Sequence, residues 1–134
     1  MRVEHIGERI CGLLITGSDV TPVDVKMTPA GIEEHIGSDS FTITYRYLKY
    51  LPLAIVYCDE VSKDADLVIN DSFQSIYAPI LVFKHGRPFE QLSDFDQAVV
   101  MDNIEMVKMN GRCVLRLKGL SDTPSPMKGG VSND

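Results

Sequence analysis

The run LPLAIVYC, Leu51 to Cys58, constrains the fold more than any other part of the chain, because it is apolar at odd and even positions alike. A strand that is apolar on both faces belongs in the middle of a sheet, not at its edge. Immediately before it, FTITYRY alternates strictly. Phe41, Ile43, Tyr45 and Tyr47 share one face and Thr42, Thr44 and Arg46 share the other, which is the pattern of a half-buried strand. SIYAPILVF is a second candidate central strand, with Pro79 demanding a bulge or an unpaired edge position.

Further strands come from RICGLLIT and TPVDVKM, joined by the turn Gly17-Ser18-Asp19. Thr28-Pro29 offers a capping side chain followed by proline at the first helical position, and Gly37 is a natural stop, so a helix of about two turns is expected between them. A second helix is expected from Ser93. Ser93 and Asp96 have capping-box spacing, and Phe95, Val99 and Asp102 follow at helical intervals. The segment DEVSKDADLVINDS reads as a polar connector.

Asn110-Gly111 is the strongest two-residue hairpin signal in the chain. Folding there sets Glu105 opposite Arg116, Val107 opposite Val114 and Met106 opposite Leu115. Ile104, Met106, Cys113, Leu115 and Leu117 then share an apolar face. From Gly119 the composition turns to Ser, Thr, Pro, Gly and Asp, and residues 119–134 are expected to be a disordered tail. The resulting fold class is α+β: one domain over residues 1–118, a mainly antiparallel sheet of six to seven strands with two short helices packed against it.

Composition narrows the function. The 134 residues carry a formal net charge of −6, which argues against the basic field that nucleic-acid binders need. YRYLKY, Tyr45 to Tyr50, has aromatic and basic residues interleaved, but strand alternation separates Tyr45 and Tyr47 from Arg46. The tyrosines are read as core or subunit contacts with wet phenol tips. Between Asp59 and Glu105 there are ten acidic and three basic residues, a net of −7, against +1 for the rest. Such asymmetry steers a basic partner. The candidate acidic contact surface is Asp59, Glu60, Asp64, Asp66, Asp94 and Asp96. Tyr45, Tyr47, Tyr77 and His85 are candidates for an interface or pocket.

Catalytic chemistry has no visible motif. Cys11, Cys58 and Cys113 are widely spaced and read as reduced thiols; Cys11 and Cys58 sit in apolar strands, where a thiol behaves as a small hydrophobe. His5, His35 and His85 lack local ligand spacing, and DEVSKDAD lacks the ligand order of a calcium loop. No apolar run approaches a membrane span and no export signal is visible, so a cytoplasmic protein without cofactor is expected.

Three pieces, AIVYCDEVSK, IYAPILVF and PFEQLSDFD, within residues 28–102, resemble an uncharacterised domain-of-unknown-function family carried mainly by phages, plasmids and other mobile elements. The resemblance implies a setting, a small accessory protein of a mobile element, and brings no functional residues with it. The expectation is a non-enzymatic binding protein that modulates or inhibits a host or phage protein with a basic surface, through the acidic 59–105 region. Two rivals remain: a metal-dependent hydrolase using His85 with Asp59, Glu60 or Cys58, and a module that sequesters a small molecule or nucleotide, with its site at a homodimer interface lined by Tyr45, Tyr47 or Tyr77.

Overall fold

The computed structural model describes residues 8–60, 64–87 and 89–124. Two hairpin strands open the fold, β1 (Arg9–Ile15) and β2 (Val20–Lys26), followed by helix α1 (Pro29–Ile36). Thr28 caps α1 as expected, its hydroxyl accepting from the Gly31 amide at 3.0 Å. Gly37 ends it with φ 83°, a conformation that costs glycine nothing. Then come β3 (Phe41–Leu48), β4 (Leu51–Cys58), β5 (Leu67–Asn70), β6 (Ser75–Tyr77), β7 (Ile80–His85) and β8 (Phe89–Glu90). Helix α2 (Asp94–Asp102), β9 (Ile104–Met109), β10 (Arg112–Leu117) and β11 (Leu120–Ser121) complete the chain.

The main sheet has seven strands in the order β11-β3-β4-β7-β1-β2, with β8 pairing onto β7, and every pairing is antiparallel. β4 lies between β3 and β7, as its two apolar faces require. One face carries Ala54, Val56, Leu81 and Phe83 and is covered by α1 through Ile32 and Ile36. The other carries Leu13, Ile15, Leu53, Ile55 and Val82 and is covered by Val68, Ile69 and Ile76 of the β5–β6 hairpin, by Leu92 and Val100 near α2, and by Leu117 of β10.

Four expectations change. SIYAPILVF is not one strand: it divides at the cis Ala78-Pro79 bond into β6, which pairs with β5, and β7 of the main sheet. The supposed polar connector contains β5, whose Val68 and Ile69 are fully buried; four residues are too few for alternation to stand out among the surrounding acids. The tail is ordered at its start, since Leu120 and Ser121 pair with Leu48 and Tyr47 of β3; residues 125–134 lie outside the described residues. In α2 the capping box forms, but Phe95 is 65% exposed and Val100 is buried in its place.

The Asn110-Gly111 hairpin has the expected register throughout, with φ 52° and 83° at the two turn residues, the positive values a two-residue turn of this kind needs. Its apolar face is buried only at the base. Leu117 is 2% exposed, whereas Met106 is 65% exposed and Cys113 is also exposed. The opposite face explains this. Val114 is buried there, Arg116 Nε donates to the Leu67 carbonyl at 2.8 Å, and Arg112 pairs with Asp66, so the hairpin leans on β5 with that side.

Candidate functional site

Among the described residues Arg46 is the buried charged side chain, at 8% exposure. On β3 it follows Thr44 and precedes Leu48 on the face beneath the β5–β6 turn. Its Nε donates to Asp71 Oδ2 at 3.2 Å, Nη1 to Thr44 Oγ1 at 3.0 Å and to the Tyr45 carbonyl at 2.9 Å, and Nη2 to Gln74 Oε1 at 2.7 Å. Gln74 Nε2 donates on to the Tyr57 hydroxyl at 3.0 Å. The guanidinium also lies 4.9 Å from the ring centre of Phe73, a cation–π distance. Burial pushes the Asp71 carboxyl up, but the Gln74 and Phe73 amides and Arg46 outweigh it and hold the group below its ordinary range. The cluster pins the turn of the β5–β6 hairpin to the sheet. Alternation with Thr42 and Thr44 makes the Arg46 face look the wetter one; the signal that it is covered is Leu48, two positions on and fully buried.

Tyr45 points the other way, as alternation demands. Its ring stacks on His85 with centroids 4.3 Å apart and planes at 29°. Tyr45 is 43% exposed, and beneath this end of the sheet Phe83 and Phe89 pack with centroids 5.0 Å apart. Tyr47, half-buried on the same face, pairs with Pro52. Tyr77, a candidate for the same pocket on sequence grounds, is separated from these residues by the fold. Tyr77 lies on β6 and lines a cleft of about 340 Å³ with Ile36, Cys58, Glu60 and Pro79.

The six acidic candidates do not form one surface. Asp59, Glu60, Asp64 and Asp66 follow the end of β4, whereas Asp94 and Asp96 open α2, just after the strand that pairs with Lys84 and His85. Lys84 faces Leu53, so five residues of β4, about 17 Å, separate the two groups. Several acids also have structural duties. Asp66 pairs with Arg112 at 2.5 Å, Asp96 receives the Ser93 amide in the capping box, and Asp59 accepts from the Thr42 hydroxyl. Outside the six, Glu105 pairs with Lys118 at 3.3 Å. Two bases of segment 106–118 thus fold back on acids of the central segment, and part of the linear charge asymmetry is satisfied within the molecule.

The hydrolase constellation separates as well. Continuing the β4–β7 register places His85 beside Pro52, six residues or about 20 Å from Cys58 and Asp59. Among the described residues no group of three His, Cys, Asp or Glu side chains could hold a metal ion. Cys58 Sγ donates to the Glu60 carbonyl at 3.1 Å. The Cys11 thiol is pushed up by burial and by Asp24, against a hydrogen bond from Gln97, which is the reverse of nucleophile activation. His35 packs its Nδ1 against the Gly31 carbonyl at 3.2 Å, and His5 lies outside the described residues.

No helix of the described residues is long and apolar enough to cross a membrane. Compared with protein-family models, curated proteins and solved structures, the chain finds no match.

Proposed function

We propose that this chain is a non-enzymatic binding protein whose partner is another protein, engaged through the sheet face around Tyr45, Tyr47 and His85. The supporting observation is the Tyr45–His85 stack, two rings held against each other while Tyr45 keeps 43% of its surface in water. Stacking fixes the rings before any partner arrives, so little rotamer entropy remains to be lost, and tyrosine is among the residues that dominate interface energetics. The acids Asp59 and Glu60, at the far end of β4 from this contact, set long-range approach and salt dependence more than affinity. The mobile-element setting implied by the family resemblance makes a host protein the expected partner.

The test is an affinity capture from host lysate at low and high salt, with wild type, Tyr45→Ala/His85→Ala, and Asp59→Asn/Glu60→Gln compared after their melting temperatures are matched. One protein retained by wild type, lost with the aromatic variant and only weakened by the acidic variant supports the reading. Retention by the aromatic variant with loss in the acidic one moves the contact to the end of β4 and overturns the aromatic site. Capture of no protein overturns protein binding itself.

A further inference from the structure

The β9–β10 hairpin leaves one edge unpaired. Leu115 N donates to the Gly17 carbonyl at 2.8 Å, away from β9, so the Met106–Leu115 pair is a non-hydrogen-bonded one. By alternation, the amides and carbonyls of Ile104, Met106 and Lys108 point outward from β9, and among the described residues no strand pairs with that edge. Met106, at its centre, is 65% exposed and shares its face with Leu115 and the exposed Cys113. A two-stranded unit with an open edge and an apolar face covered only at its base is short of the three strands that make a sheet stable on its own.

We infer that β9 pairs with β9 of a second copy of the chain, antiparallel about a two-fold axis at Met106, to give a four-stranded sheet β10-β9-β9-β10. The register follows from the residues. An edge-to-edge ladder must match outward-pointing groups with outward-pointing groups, which restricts the axis to a residue position. An axis at Glu105 sets glutamate directly opposite glutamate, which is destabilising, and one at Val107 sets Ile104 opposite the turn residue Asn110, leaving two outward-pointing pairs in the ladder against three for an axis at Met106. An axis at Met106 sets Met106 against Met106, Ile104 against the aliphatic stem of Lys108 and Glu105 against Val107. No like charges then face each other. The two Lys108 side chains are about 14 Å apart along the strands, beyond the ~8 Å screening length at physiological salt. A two-fold contact of this kind is closed, so association stops at the dimer. The ladder joins only one six-residue strand from each copy, so the dimer is weak and depends on concentration.

Proline tests the edge selectively. The Met106 amide points outward, so Met106→Pro removes a donor the monomer does not use, a position where edge strands tolerate proline. The experiment is sedimentation velocity on wild type, Met106→Pro and Met106→Lys over a concentration series, with hydrogen exchange of the Met106 and Lys108 amides. The expected result is a concentration-dependent dimer in wild type, loss of dimer in both variants, and protection of the two amides that rises with concentration. Met106→Lys leaves the whole backbone ladder intact and covers the case in which the proline variant does not fold. A wild type that is monomeric throughout, or a dimer undisturbed by Met106→Lys, overturns the inference. Because Tyr45 and His85 lie elsewhere, Tyr45→Ala/His85→Ala leaves this dimer intact, and failure here is separable from failure of the partner-binding reading.

Discussion

Replacing Arg46 by methionine deletes the centre of the polar cluster while keeping much of the side chain's apolar bulk. Asp71, whose side chain is 13% exposed, is left with the amides of Phe73 and Gln74, and the Tyr45 carbonyl and Gln74 Oε1 each lose a donor. Removing one partner of a buried ion pair costs about 3–5 kcal/mol, because the remaining charge is stranded. The two surviving amides place this case at the lower end, about 3 kcal/mol. With an unfolding entropy of about 2.1 cal/mol/K per residue over 134 residues, that is a fall in melting temperature of roughly 10 °C. Arg46→Lys keeps the charge but cannot reach four acceptors from one plane, so it recovers less than half of the loss. The double variant Arg46→Met/Asp71→Asn recovers more than Arg46→Lys, because the stranded charge is gone while an oxygen remains for the Phe73 and Gln74 amides. Thermal unfolding at neutral pH reads all three, and hydrogen exchange locates the loss in the β5–β6 hairpin. A fall below about 1 kcal/mol for Arg46→Met, the value of an exposed pair, refutes the reasoning.

The remaining predictions concern acid and packing. Asp71 has a folded-state pKa below its unfolded value near ~3.9, so its contribution is present above that value and is lost as pH falls through the lower folded one. The gap in melting temperature between wild type and Asp71→Asn therefore narrows as pH is lowered below about 4; a gap that is constant from neutral pH into acid contradicts the assignment. A β-carbon on Gly12 would sit 2.7 Å from the Phe83 ring and 2.8 Å from the Val82 carbonyl. Gly12→Ala is accordingly expected to cost about 1–3 kcal/mol in denaturant unfolding, and a neutral result would mean that Phe83 has room to move.

Local rules carried a large part of the fold into view. Thr28, Gly37 and the Ser93–Asp96 box act within one or two helical turns, and Asn110-Gly111 dictates its hairpin register through the turn itself, so no distant residue is needed to read them. The same locality explains the misses. β5 is four residues long and gains its burial from the sheet beneath it, and Leu120–Ser121 becomes a strand only because the outer edge of β3 is there to pair with. The candidate site was half legible. Alternation put Tyr45 and Tyr47 on one face, but nothing in the spacing told that His85, forty residues away, would lie under the Tyr45 ring.

By itself, then, the sequence determined an antiparallel α+β architecture with β4 at its centre, because a strand apolar on both faces and residues with fixed backbone preferences leave few alternatives. Only the tertiary structure decided where the charge goes. Arg46 meets Asp71 from twenty-five residues away, Arg112 meets Asp66 from forty-six and Lys118 meets Glu105, so a chain that reads as acidic in the middle and basic near its end folds into a molecule that neutralises part of its own asymmetry. Charge summed along a chain ignores distance in space, and electrostatic energy depends on nothing else as strongly.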